Sequence, residues 1–467
     1  MDHADSTSGE IPVVAVIGGG ASGTLAAIHL LREAGASRLP LRVALIDQHG
    51  RHGRGQAYST THPSHLLNSP ADTMSALGDD PGHLVSWAER RHVRHDGFLP
   101  RGAYGDYLCE ALTDAQRAAM PWASVTRLTS RVVAVRPDCG RRALRLDLAA
   151  EGRIDADVVI LATGNLPPAP AFPVDSGPRF VADPWEPAAF NGTADGSLVV
   201  IAGSGPTMVD VAISLAGLHP RTRVLAVSRH GLLPRAHDWP RRAPDYARLP
   251  DFGGAAPVRL TRLIRDIRTT ASGQNGHWQD VIDALRPQVP ELWRRLPDLD
   301  KRTFLRHVAR YWEVHRHRLP PATAQQVGQL QASGRLTLLS GRIASARTSE
   351  EGIRVSIDVG ESRAEVHGGW LINCSGPTSD ISSTADVLLQ NLFASGLARP
   401  DSLGLGLAAD WSGLVRGPSA GNIYALGPLL RGLRYETTAT PEIREQAAGI
   451  ASLLVGRLAR VNPRSAA

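Results

Sequence analysis

A glycine-rich turn between an apolar strand and an apolar helix occurs twice in this chain, and that repetition limits the folds open to it. Residues 13–31 read VVAVIGGGASGTLAAIHLL and residues 198–216 read LVVIAGSGPTMVDVAISLA. In each, a short β-branched run suited to a buried parallel strand leads into a glycine cluster and then into a helical pattern.

The first cluster, Gly18-Gly19-Gly20-Ala21-Ser22-Gly23, fits G-x-G-x-x-G directly after its strand. Gly18 permits the tight turn, Gly20 removes a side chain that would block a pyrophosphate, and Gly23 lets the helix approach the strand. Ala21 and Ser22 open the helix, whose N-terminal N–H groups and partial positive charge suit phosphate. The next strand, LRVALID, ends in Asp47 followed by Gln48, and an acid there can accept hydrogen bonds from an adenosine ribose.

The second cluster, Gly203-Ser204-Gly205-Pro206-Thr207-Met208, has Met208 in place of the third glycine. Its following strand, RVLAVS, ends in Ser228-Arg229-His230 and carries no acid. An arginine at that position can pair with a 2′-phosphate that an acid would repel. The first turn is therefore expected to hold FAD and the second NADPH. The expected fold is α/β, with two Rossmann-like dinucleotide-binding domains and the NADPH domain inserted into the FAD domain.

The strands RIDADVVILATGN (153–165) and GWLINCSGP (369–377) both end in a small-residue exit, the first in Ala162-Thr163-Gly164. A Pro-rich connector follows the first. These exits divide the chain into 11–169 (first part of the FAD domain), 170–368 (NADPH domain, helical around 255–322) and 369–457 (return of the FAD domain). A chain of 467 residues is long enough for two cores.

A net charge of +6 drawn from scattered arginines gives no signature of nucleic-acid binding. The three cysteines, Cys109, Cys139 and Cys374, form no C-x-x-C and no ligand-spaced cluster, so neither a disulfide framework, a metal site nor a dithiol centre is expected. The polar start MDHADSTSGE lacks the regions of a signal peptide, and the glycines of 13–31 argue against a membrane span. Cytoplasmic residence is the default expectation.

Several segments together resemble a known family. The first glycine turn, HLLNSPADTMS (65–75), FLPRGAYGDYL (98–108), GSGPTMVD (203–210), VSRHGLLPR (227–235), INCSGP (372–377) and ALGPLLRGLRYETTATPEIREQA (425–447) look like the FAD/NAD(P)-binding proteins that include flavin-dependent urate hydroxylases. More distantly, they are similar to two-dinucleotide flavin monooxygenases of the N-hydroxylating and Baeyer–Villiger types. The resemblance implies that Tyr58, His65, Leu67, Asn68 and Met74 run along the flavin, with Asn68 near its reducible edge. It implies that Arg101 and Tyr104 sit near FAD, Arg101 pairing with phosphate or an anionic substrate. Val133, Ala162, Thr163 and Gly164 complete the expected cofactor-binding set, and Asn68 and Arg101 are the candidate catalytic residues. Backbone groups of Gly427 and Pro428 stand where many flavoproteins carry an aspartate-bearing turn.

The implied reaction is an NADPH-dependent monooxygenation in which hydride passes to FAD and a flavin hydroperoxide hydroxylates a small polar substrate, purine-like or an amine or amino acid. A flavin reductase or dehydrogenase that transfers no oxygen, and a non-catalytic flavin-binding protein, are the alternatives. Molecular oxygen and a small molecule are the expected partners. No metal cluster, Ser-His-Asp set or paired carboxylates is invoked.

Within 255–322, Arg259, Arg262, Arg265 and Arg268 alternate with leucine and isoleucine, which reads as an amphipathic helix with a solvated basic face. His315 and His317 do not share a helix face, so they make a poor joint metal site. Trp278, Trp293 and Trp312 read as core or interdomain packing.

Overall fold

The computed structural model describes residues 10–138, 144–175, 177–186, 189–190, 192–241, 249–254, 256–273, 277–378, 380–419 and 421–461. Cys139 lies outside them. In chain order the first unit runs β1 (Val13–Ile17), α1 (Ala21–Ala36), β2 (Leu41–Asp47), α2 (His83–Arg90), α3 (Arg101–Ala119), β3 (Ala123–Thr129), β4 (Val132–Pro137), β5 (Leu144–Leu148), β6 (Arg153–Ala156) and β7 (Val158–Leu161). The second runs β8 (Phe180–Val181), β9 (Leu198–Ala202), α4 (Pro206–Leu218), β10 (Arg223–Ser228), α5 (Leu260–Ser272), α6 (Trp278–Leu285), α7 (Val289–Arg295), α8 (Asp298–Thr303), α9 (Ala309–Arg316), α10 (Pro321–Ala332), β11 (Leu336–Ser340), β12 (Arg342–Thr348), β13 (Ile353–Val359), β14 (Ser362–Gly368) and β15 (Trp370–Asn373). The chain then returns through α11 (Val387–Ala394), β16 (Ile423–Ala425) and α12 (Thr440–Val461).

The two units share one plan. The first parallel sheet has the order β16-β7-β1-β2-β3 and the second β8-β15-β9-β10-β11, each with a three-stranded antiparallel sheet, β4-β5-β6 or β12-β13-β14, inserted before its glycine-exit strand. β1 and β9 sit at the centre of their sheets and are almost fully buried, as their unbroken apolar runs require. Apolar layers fill both faces of each sheet: α1, α3 and α12 cover one face of the first, while the small antiparallel sheet and α11 cover the other.

Each glycine turn is set by the same contact. Gly18 has φ +105° and Gly203 φ +111°. A Cβ on Gly18 would stand 2.3 Å from the Ala162 carbonyl oxygen, and one on Gly203 would stand 2.3 Å from that of Cys374. The Gly18 N–H donates to Ile46 O and the Gly203 N–H to Val227 O, both at 2.8 Å, so each turn is fixed between the two neighbouring strand ends. Gly23 is a packing glycine, since a Cβ there would lie 1.8 Å from Gly18 O. Met208 occupies the matching place in α4 with its side chain buried.

Two expectations change. The strand expected over 153–165 is two: Arg153–Ala156 belongs to the antiparallel sheet and Val158–Leu161 to the parallel one. The break falls at Asp157, whose carboxylate accepts the Val13 N–H at 2.8 Å. The boundary expected between 368 and 369 also moves, because Trp370–Asn373 pairs in parallel with β9 and is part of the second sheet. Strand β15 stands to β9 as β7 stands to β1, so the chain leaves the second unit only after the Ser375-Gly376 exit.

The helices between β10 and β11 enlarge one crossover of the second unit and pack onto the returning chain. Trp293, Leu285, Leu292 and Leu296 form a core with Tyr435, and Trp293 Nε1 donates to Gly432 O at 2.9 Å. Trp312 Nε1 donates to Glu436 at 2.8 Å. Arg259 precedes α5; on the helix Arg262 and Arg265 share Asp266, each at 3.3 Å, on an exposed face. Among the described residues no helix is long and apolar enough to cross a membrane, and no group of three or more His, Cys, Asp or Glu could hold a metal.

These contacts separate clash from backbone strain. Gly18→Ala and Gly203→Ala combine both and are expected to cost on the order of 3–5 kcal/mol. Gly360→Ala, at φ +60° with open space around it, is expected to cost about 1 kcal/mol. Denaturant unfolding of the three variants measures the difference, and equal losses would refute the carbonyl contact as the cause.

Candidate functional site

A cleft of 690 Å³ opens at the C-terminal ends of the first sheet's strands. Such a crevice is where an open parallel sheet places its ligands. Its floor is the first glycine turn, with Gly18, Gly20, Ala21 and Ser22; its far end is formed by Asp47, Gln48 and the 130–132 segment. Ala162, Thr163 and Gly164 line one wall, and Tyr58, Arg101, Pro428, Thr438, Thr440 and Ile443 close the other end. Thr207, at the start of α4, also reaches the cleft, so the second glycine turn's helix begins where the first turn's cavity ends.

Asp47 stands at the end of β2 as its position predicts. One carboxylate oxygen accepts the Gly19 N–H at 3.1 Å, and the other accepts those of His49 and Arg51, both at 2.9 Å. The acid therefore also fixes the turn. The segment 51–58, which the sequence reading left unassigned apart from Tyr58, crosses over the glycine turn: a Cβ on Gly20 would stand 3.3 Å from Gly55 Cα. The signal for it lay in Gly53 and Gly55, both at positive φ. Arg51, Arg54, Gln56, Arg131, Asp183, Trp185, Asp386, Thr438 and Thr440 are further cleft residues absent from the sequence-based set.

Several candidates lie elsewhere. Leu67 and Met74 are buried in the core beside α1 and α3, and Tyr104 is buried edge-on against Tyr58 at 4.8 Å, behind the cleft wall. His65 faces α4: its Nε2 donates to Asp210 O at 3.2 Å and meets Ser214 Oγ at 2.9 Å, while Nδ1 meets Thr60 Oγ1 at 2.8 Å. Asn68 is half-buried and absent from the cleft lining; its carbonyl accepts from His237 Nε2 at 3.0 Å. Val133 turns its carbonyl to Asn391 Nδ2 at 2.8 Å, while its neighbours Arg131 and Val132 line the cleft. Gly427 lies one residue behind the lining, its N–H held by Gln446 and its carbonyl by Thr437. The physical reason is common to these residues: they hold the wall in shape from behind.

Arg101 lies in the cleft and also joins the two units. Its Nη1 donates to Asp210 of α4 at 2.6 Å and its Nε to Leu66 O at 2.9 Å. At the second turn, Gly203, Gly205, Pro206 and Thr207 are half-buried, and Ser228 Oγ meets Ser204 Oγ at 2.8 Å. Arg229 is exposed at the end of β10, and among the described residues its guanidinium has no hydrogen bond or ion pair. Among the described residues Cys109 and Cys374 are free thiols; burial raises the Cys374 thiol well above its ordinary range, and Cys109 Sγ donates to His52 O at 3.2 Å. His315 stacks edge-on on Trp278, and burial holds His317 near pKa 4. His307 is exposed.

Residues 15–166 match the FAD-NAD(P)-binding family model. That match covers the first glycine turn, Asp47 and the Ala162-Thr163-Gly164 exit. No curated protein matches the chain by sequence. Among solved structures, the ornithine N-hydroxylase of Kutzneria sp. 744, with reduced FAD, NADP+ and L-ornithine, is similar at 16% identity and TM-score 0.65, over 95% of this chain and 98% of that one. The L-lysine 6-monooxygenase of Pseudomonas syringae is similar at 14% identity and TM-score 0.64, over 95% and 99%. The ornithine hydroxylase of Pseudomonas aeruginosa is similar at 16% identity and TM-score 0.62, over 96% and 100%. The shared fold spans both glycine-turn units and the helices between them.

Burial makes the contact between the units sensitive to acid. Desolvation, with Arg318 adding to it, lowers the His237 pKa from 6.5 to about 4. The unfolded chain therefore binds a proton on His237 below about pH 6.5 that the folded chain refuses until about pH 4, so stability present above pH 6.5 is lost as pH falls through that window. His237→Gln retains a donor for Asn68 O and is expected to reduce the stability lost between pH 6.5 and 4.5 by about 2 kcal/mol. Urea unfolding at the two pH values measures it; an unchanged loss would mean that His237 is protonated in the folded protein.

Proposed function

We propose that the chain is an FAD- and NADPH-dependent monooxygenase that hydroxylates the amine nitrogen of a small amino acid or diamine. The observation that carries this reading is that the helix following the second glycine turn begins, at Thr207, on the lining of the same cleft that the first glycine turn lines. The fold neighbours support the substrate class, since they include enzymes named for ornithine and lysine and a cadaverine monooxygenase from Erwinia amylovora.

The residues present fit the two cofactors. Gly20 keeps the N-terminus of α1 open toward the cleft, and at Gly205 a Cβ would meet nothing closer than Arg310 Nη1 at 3.8 Å. Backbone N–H groups at both helix starts suit a pyrophosphate. Gly18, Gly20, Ala21, Ser22, Asp47, Gln48, Tyr58, Ala162, Thr163, Gly164 and Pro428 would hold FAD, and Gly203, Gly205, Pro206, Ser228 and Arg229 would hold NADPH. Held there, FAD and NADPH would supply the hydride acceptor, the hydride and the activation of dioxygen that an amine hydroxylation requires.

The protein's part is orientation and exclusion of water. Tyr58, with its hydroxyl 3.5 Å from Thr440 Oγ1, forms an apolar wall backed by Tyr104. Arg101 fixes α4 through Asp210 and so sets where the second nucleotide enters the shared cleft. Residues His65 and Asn68 act from behind, through α4 and His237, as positioning residues. The alternative is a flavin reductase or dehydrogenase that transfers no oxygen; the sequence holds no C-x-x-C pair for one of the dithiol type.

The decisive experiment reduces the purified protein with NADPH without oxygen, then mixes it with oxygen and ornithine, lysine, cadaverine, urate or other purines. One amine is expected to yield a hydroxylated product in proportion to NADPH consumed. Hydrogen peroxide alone with every compound would favour the reductase reading. Gly20→Val places a branched side chain against the Gly55 segment and in the pyrophosphate's space, and the purified variant is expected to lack the yellow flavin absorbance. A variant that kept a full complement of FAD would remove the first turn from the proposal.

A further inference from the structure

The second glycine turn carries a cation that its own unit's sequence motif does not supply. Arg310, in the first turn of α9, sends Nη2 to Ser204 Oγ at 3.1 Å and to Leu232 O at 3.5 Å. Its Nη1 stands 3.8 Å from the position a Cβ would take on Gly205, the residue that caps α4. A run of π-helix, Phe304–Val308, immediately precedes α9 and shifts the helix register just before Arg310. Such turns recur where a helix delivers a functional side chain.

The electrostatics of this placement are unfavourable as it stands. A guanidinium beside the N-terminus of α4 faces the positive end of the helix dipole, where an anion is favoured. Its carboxylate partner, Glu313, is 3.7 Å away and is shared with Arg431 at 3.3 Å, so one acid serves two guanidinium groups. Ser204 and Leu232 offer only neutral acceptors. An anion between Arg310 and the α4 N-terminus would satisfy both positive ends at once.

The geometry points to Arg310 as the ligand of the nicotinamide nucleotide's pyrophosphate, supplied by the helices inserted between β10 and β11. This rests on the reading of the second turn as the NADPH site and goes beyond it in assigning the charge that receives the phosphates. Arg229, at the end of β10, is left to read the 2′-phosphate. The two arginines then have separable signatures: Arg310 acts on any nicotinamide dinucleotide, Arg229 only on the phosphorylated one.

The test is calorimetric titration of the FAD-loaded protein with NADP+, NAD+ and adenosine 2′-monophosphate, which has no pyrophosphate. In Arg310→Ala and Arg310→Gln, Kd for both dinucleotides is expected to rise by roughly tenfold to a hundredfold, the range of a charge-assisted hydrogen bond. Their ratio and the affinity for adenosine 2′-monophosphate should stay unchanged. In Arg229→Ala the ratio should collapse instead. The glutamine variant, which retains a donor for Ser204, and an unchanged flavin content guard against a folding defect. Unchanged dinucleotide affinity in both Arg310 variants, or a loss confined to NADP+, overturns the assignment. If the unsubstituted protein binds neither dinucleotide, the NADPH reading itself fails, and the Arg310 assignment falls with it.

Discussion

The constraint on which both glycine turns depend is steric. At Gly18 and again at Gly203, the chain turns directly over the carbonyl of the residue that follows a neighbouring strand, leaving 2.3 Å where a Cβ would be. Only glycine fits there, and its positive φ redirects the chain so that the following helix points its N-terminus over the sheet's C-terminal edge. The exits Ala162-Thr163-Gly164 and Cys374-Ser375-Gly376 are the other half of this contact. Each glycine is useful only because a parallel strand far away in sequence ends beneath it.

Placing two such units against one cleft requires a second set of contacts, and these are polar and buried. Arg101 with Asp210, His65 with α4, and His237 with Asn68 O join the first unit to the second. On the other side, Arg286 pairs with both oxygens of Glu442, Arg316 lies 3.3 Å from Glu436, and Trp312 donates to that same acid, fastening the inserted helices to the strap that runs from Pro428 to Thr440. Buried pairs of this kind add little net stability compared with apolar packing, but breaking one leaves a charge stranded. Their effect is to fix geometry: the strap that carries Thr438 and Thr440 into the cleft is held by groups that cannot slide past one another without losing partners.

The inserted helices thereby touch both the strap beside the first cleft and the second glycine turn. Through Trp312, Trp293 and Arg316 they shape the strap at the first cleft, and through Arg310 they reach the second turn. Glu313 stands between Arg310 and Arg431, one residue beyond the Gly427–Leu430 turn. A single short helix, α9, is thus common to the strap and to the second glycine turn.

The sequence by itself determined what depends on local pattern. Apolar β-branched runs, glycine spacing and the acid or arginine closing the next strand were enough for the two parallel units, the order of the turns and the cleft-lining place of Gly18, Gly20 and Asp47, while Ala162 and Pro428 came from the family resemblance. Only the tertiary structure decided which residues stand in the cleft and which stand behind it. Tyr104 shares its motif segment with Arg101, yet α3 turns Tyr104 into the core and Arg101 toward Asp210, while Leu67 and Met74, from the preceding motif segment, are buried beside α1 and α3. Strand β15 looked like the returning first domain because its exit resembles that of β7, and it is the pairing with β9 that assigns it to the second sheet. Arg310 lay in an arginine-rich stretch with nothing local to distinguish it. Its meaning arises from folding a helix back across about a hundred residues of chain onto Ser204, and a contact made by such closure leaves no periodicity in the sequence to read.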